Sequence, residues 1–155
     1  AAAAGPDLTA EIAACTGNWE TTKEMMEPLI SKPKMSEKLL TKPPFRFLHD
    51  VFTAVEKATG FAAGLYSEEA GETNGKEIKE KQAKIDYLEK MVKTVGFQLG
   101  TEVDARAAKI VAGLEAENTN ILLQLLALAA SRKPDSAAAV EAVLTGQSMP
   151  APAAA

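Results

Sequence analysis

The side chains with the clearest capacity for chemistry in this sequence are cations. Between Ser31 and Phe47 stand five of them, Lys32, Lys34, Lys38, Lys42 and Arg46, against one acid, Glu37. Pro33, Pro43 and Pro44 interrupt the same stretch and limit the freedom of the backbone that carries these charges. A stiff corner presents cations together at a reduced entropy cost on binding. Arg46 adds a planar fork able to grip a carboxylate bidentately, which a lysine cannot do. This corner is the candidate binding site, and an acidic ligand is expected. The competing account is a local excess of solubilising charge.

Catalysis and metal binding find little to work with. His49 is the single histidine and Cys15 the single cysteine. They fall in different predicted helices, so neither a zinc site nor a Cys–His pair is read. His49 beside Asp50 has the residue types of a base and its orienter. The plainer reading is a helical histidine near the surface or in a satisfied pocket. No nucleophile elbow occurs. "GFAAGLYS" has two glycines four apart but lacks the Lys-Ser/Thr of a phosphate loop, and no calcium-loop pattern is present. The chain is expected to be no enzyme and to need no metal and no cofactor.

A formal net charge of −4 argues against a general nucleic-acid binder, though not against a local basic patch. With one cysteine no internal disulfide can form, and a reducing compartment fits better than secretion. No apolar run approaches the roughly 18 to 20 residues that cross a bilayer, so no membrane insertion is expected. The opening "AAAAGP" has no charged segment leading into an apolar one, does not read as a signal peptide and is set aside from fold reasoning.

Ala, Leu, Lys and Glu dominate while aromatics make up 5%, which favours helices over strands. "DLTAEIAAC" places Leu8, Ile12 and Cys15 on one helical face. Asn18 is suited to cap "WETTKEMMEPLI", where Pro28 predicts a kink or a late irregular turn. Ser36 before "EKLL" reads as a short capped turn that pins Leu39 and Leu40. A helix is predicted from about Pro44 to Thr59, with both prolines at its first positions. Its stripe is Phe45, Leu48, Val51, Phe52, Val55 and Ala58. Gly60 is its left-handed stop, and Phe61 folds back on the last turn. After a loop in which Ser67 is a candidate cap, a long helix is predicted from Lys76 to about Phe97. Ile78, Ile85, Leu88, Val92 and Val95 line one face. Six lysines alternate with four acids between Lys76 and Lys93, a solvated face.

Asp104 is the candidate cap of a short helix ended by Gly113. Residues 121–130 are apolar on several sides and belong at the centre of a bundle. Asn118 and Asn120 at its head are expected to cap it or bond a neighbouring loop, and Met25, Met26 and Met35 to fill the core. The expected architecture is all-α: a compact helical domain at 18–131, an extension with a candidate helix at 1–17, and an Ala/Pro-rich linker with an Ala-rich candidate helix at 132–155.

Two blocks, "EKLLTKPPFRFLHD" and "KIVAGLEAENTNILLQ", with "AKIDYLEKMV" between them, resemble the N-terminal domain of the intraflagellar transport 54 family of microtubule-interacting proteins. The resemblance runs from about Glu24 to Ala130. It implies a calponin-homology-like fold, binding of αβ-tubulin or microtubules, membership of intraflagellar transport complex B, and a place in the cilium or flagellum, at the ciliary base and in the cytoplasm. Assembly with other complex B subunits goes through a coiled coil expected to lie outside these residues. The first 20 or so residues and the loop "EAGETNGKE" depart from the family pattern.

Tubulin is strongly acidic, so Lys32, Lys34, Lys38, Lys42 and Arg46 are the residues expected to meet it. The alternative is a docking module that contacts other transport subunits through an apolar patch around Trp19, Met25 and Met26, with little tubulin binding of its own. Actin binding ranks third, because calponin-homology domains that bind actin usually act in pairs and one domain fits here.

Overall fold

The leucine-rich run forms α7, Ala116–Arg132, and most of the chain is arranged around it. The computed structural model describes residues 9–32, 34–66, 77–101, 103, 105–132 and 135–146. The other helices are α1 Thr9–Ala13, α2 Trp19–Met26, α3 Glu37–Thr41, α4 Phe45–Thr59, α5 Lys81–Leu99, α6 Ala107–Val111 and α8 Ala137–Leu144, with no strand among the described residues. The architecture among the described residues is the expected all-α bundle. Helices α1 to α5 all touch α7, whereas α6 and α8 pack on α5. Leu122, Leu123, Leu126 and Ala129 of α7 are completely shielded from water or nearly so. A helix apolar on several sides is stable only when neighbours cover those sides, and the bundle supplies them.

Local chemistry explains where elements start and stop. The Asn18 side chain accepts from the Glu20 amide at 2.7 Å, and the Ser36 hydroxyl from the Leu39 amide at 3.2 Å. Each removes one of the unsatisfied donors at a helix start. Helix α2 ends at Met26, two residues before Pro28. An irregular turn follows, with the Leu29 and Ile30 amides both donating to the Met26 carbonyl. Gly60 closes α4 in the left-handed conformation at φ +81, and Phe61 beyond it is buried. Gly17 is required for a different reason. At φ +79, a Cβ there would lie 2.9 Å from the Glu117 carbonyl oxygen, so glycine alone lets the chain pass this close to the start of α7.

Some boundaries differ from expectation. The prolines do not occupy the first turn of α4. Pro44 is extended (φ −79, ψ 157) and serves as N-cap, its carbonyl accepting from the Leu48 amide at 3.1 Å. Ala58, counted in the α4 stripe, is exposed because the last turn runs past the core, while Phe47 and His49 are buried. Helix α5 begins at Lys81, not near Lys76. Ile78 matches the helical spacing but reaches the core from non-helical backbone. The predicted caps Ser67 and Asp104, and Leu8, lie outside the described residues. Residues 137–144, the Ala-rich candidate helix, form α8 as expected, and Ala139, Val140 and Ala142 are buried. The buried Ser136 hydroxyl just before it accepts from the Ala62 amide at 2.7 Å.

Candidate binding site

The basic corner runs from the end of α2 through α3 into the first turn of α4. Lys32 and Lys34 lie in the non-helical run after α2, Lys38 on α3, Lys42 at the C-cap of α3 and Arg46 in the first turn of α4. All five side chains are exposed. Among the described residues none of the five is held in an ion pair with a carboxylate. The backbone that carries Lys38 and Lys42 is bounded by the Ser36 cap and by Pro43, which is itself buried.

These cations do not converge on one pocket. Lys34 lines a cleft of about 450 Å³ with Lys23, Met35 and Ser36. Lys42 lines a separate cleft of about 390 Å³ with Phe45, Lys84, Ile110 and Gly113, and no residue is shared between the two. The second cleft carries two features of a built site. Its floor is apolar, and it contains two lysines but no carboxylate. The Lys84 ammonium sits 5.7 Å from the centre of the Phe45 ring, within range of a cation–π attraction. The Lys42 stem runs against Gly113, where an added Cβ would meet its Cε at 3.4 Å.

Lys84 was not among the predicted site residues. It sits on a helix face whose charges alternate in sign, and nothing local marks it. Only the tertiary approach of α5 to the proline corner does so. The spacing of the two motif blocks does not reveal that α5 and α6 close the cleft.

The remaining reactive groups have structural surroundings. His49 is buried, with its ring stacked on Tyr87 at 4.8 Å, and Tyr87 is stacked in turn on Tyr66 at 4.0 Å. Burial pushes the Cys15 thiol above its ordinary range, which suppresses the reactive thiolate. No cluster of three metal-ligating side chains occurs among the described residues. Their helices include none long and apolar enough to cross a membrane. Asn120 bonds as expected of a residue meeting a neighbouring segment, donating to the Leu40 carbonyl at 2.7 Å.

The apolar patch expected around Trp19, Met25 and Met26 is not exposed as a unit. Met26 is fully buried in the core, and Trp19 and Met25 are half-buried. Met25 instead lines a groove of about 400 Å³ between α1, α2 and α7, together with Cys15, Leu29, Ala127 and Leu128. One carboxylate oxygen of Glu11, in the wall of that groove, is buried without a hydrogen-bond partner.

Relatives bear directly on this arrangement. TRAF3-interacting protein 1 of Danio rerio is 44% identical over 128 residues, covering 83% of this chain and 20% of that protein. The Mus musculus protein of the same name is 44% identical over 125 residues, covering 81% of this chain and again 20% of the relative. This chain thus spans about a fifth of the length of the curated relatives it matches. Residues 18–132 match the family described as "Microtubule-binding protein MIP-T3 CH-like domain", which takes in the proline corner, α5, α6 and the central helix. With a helical bundle of the expected kind and matches of this extent, the chain belongs to the MIP-T3 CH-like domain family.

Proposed function

We propose that this chain is a non-enzymatic tubulin- and microtubule-binding domain that serves an intraflagellar transport complex B subunit at the cilium. Its basic corner supplies the binding surface. The observation that carries this reading is the set of five exposed cations on a proline-fixed corner, none of them held by a carboxylate among the described residues. They stand on a chain whose formal net charge is −4, so attraction to an acidic surface is local to that corner. The family description, microtubule-binding, names a partner of the matching sign.

Exposed ion pairs contribute about 0 to 1 kcal/mol each, so several must act together. Reversing Lys38, Lys42 and Arg46 to Glu should therefore abolish capture of purified tubulin while leaving the thermal melting curve in place. Capture should also fall as salt rises, since the screening length shrinks to about 3 Å near 1 M. Undiminished capture by the triple variant would remove these residues from the interface.

A second reading is favoured by the groove between α1, α2 and α7, an apolar surface next to a buried carboxylate oxygen. In it the domain docks another transport subunit, and tubulin binding is weak. Partner capture that survives high salt and is lost in Met25→Glu would select this reading over the first.

A further inference from the structure

The cleft under Lys42 and Lys84 has a composition that neither a purely electrostatic landing site nor a plain core defect needs. Two ammonium groups enter from different elements, Lys42 from the end of α3 and Lys84 from the first turns of α5. Lys84 is drawn over the Phe45 ring, and the exposed Lys42 side chain passes Gly113 at van der Waals distance. At φ +76 a larger residue at 113 would strain the backbone. The rest of the apolar lining is half-buried Phe45 and Val111 with the buried Ile110 beneath them. Two unneutralised cations beside an apolar floor suit one kind of ligand: a carboxylate joined to an apolar side chain.

We infer that this cleft is a specificity pocket for an acidic peptide segment carrying an apolar side chain next to its carboxylates. The carboxylate lies between the Lys42 and Lys84 ammonium groups, and the apolar side chain covers Phe45 and Val111. The inference rests on the reading of the basic corner as a binding surface for an acidic protein partner, and it deepens that reading. The corner attracts acidic chains in general. The cleft then selects among them, because an apolar group entering a pocket discriminates where screened surface charge does not.

The test uses the whole chain and two short polyglutamate peptides of equal charge, one with a central leucine and one with serine in its place. Anisotropy titrations should give roughly tenfold tighter binding for the leucine peptide, the lower end of what an apolar group contributes in a pocket. Lys84→Glu should erase that preference and weaken tubulin capture. Lys57→Glu, the same charge change at the far end of α4, should leave the preference intact. Circular dichroism of both variants checks that each is folded. If the two peptides bind alike, or Lys84→Glu behaves as Lys57→Glu does, the cleft is overturned while tubulin capture through the corner stands. If the wild-type chain captures no tubulin, the reading of the corner fails and takes the inference with it.

Discussion

Glu56 sits in the last turns of α4, half-buried, and burial pushes its carboxyl above the ordinary range, with the neighbouring Lys57 opposing the shift. Folding therefore raises the proton affinity of this group. Its contribution to stability is fully present below the unfolded pKa and is withdrawn as pH rises through the higher folded value. At neutral pH the charged side chain sits in surroundings that favour the neutral form. Glu56→Gln should then raise the melting temperature at pH 7, and the gain should vanish once the pH drops below that of an ordinary carboxylate. Melting curves of both proteins across that range check the sign. Single-residue environments of this kind were only partly legible in the sequence. The exposure of Lys38, Lys42 and Arg46 follows from charge alone, and the capping by Asn18 and Ser36 from residue type and position. The burial of His49 and the placement of Lys84 depend on what another helix brings to them. No local pattern encodes that.

Between elements, the decisive contact is a polar one inside an apolar core. Thr22 of α2 donates to the Asn120 side-chain oxygen at 2.8 Å, and the Gln124 amide donates to the Thr22 hydroxyl and the Asn18 carbonyl, each at 3.0 Å. Asn120 donates to the Leu40 carbonyl of α3 as well as to the Ala116 carbonyl of its own helix. One buried side chain thus ties α2, α3 and α7 in a fixed register. Lys38 and Lys42 inherit their places from that register, since Lys38 lies on α3 and Lys42 is its C-cap. Asn120→Ala takes away the side-chain donor of the Leu40 carbonyl and the shortest acceptor of the Thr22 hydroxyl, which keeps the Asn18 carbonyl at 3.4 Å. A buried group left unsatisfied costs about 1 to 3 kcal/mol, and the variant should lose about that much by urea denaturation. Adding Thr22→Val should cost less than its effect alone, because the two act through one bond. Apolar spacing located α4 through Leu48, Val51, Phe52 and Val55, though not its buried Phe47 and His49, and the unbroken apolar run located α7. It overran at α5, where Ile78 kept the spacing after the helix had given way to extended backbone at Glu80. Burial and helicity coincide often enough to mislead at an element's end.

At the scale of the molecule, the packed body extends beyond the run of helices around α7. Helix α8 lies on α5, and its apolar side is small: Ala139, Val140 and Ala142. The run of alanines marks such a segment as a candidate helix, but alanine carries little hydrophobic signal, so its packing is not legible. Two physical terms hold it in place. Burying a valine side chain contributes about 1.5 to 3 kcal/mol. The Ser136 hydroxyl also satisfies the buried Ala62 amide just after α4, and losing that acceptor costs about 1 to 3 kcal/mol more. Ending the chain at residue 134 should therefore lower stability by roughly 2.5 to 6 kcal/mol, summing those two terms. Since α5 also carries Lys84, the truncation should weaken the leucine-peptide preference, whereas capture through Lys38 and Arg46 on α3 and α4 should persist. Comparing the truncated and full chains by denaturation, then by peptide and tubulin binding at a temperature where both are folded, separates a support for the cleft from a detachable tail. Equal stability of the two chains would mean that α8 does not brace α5.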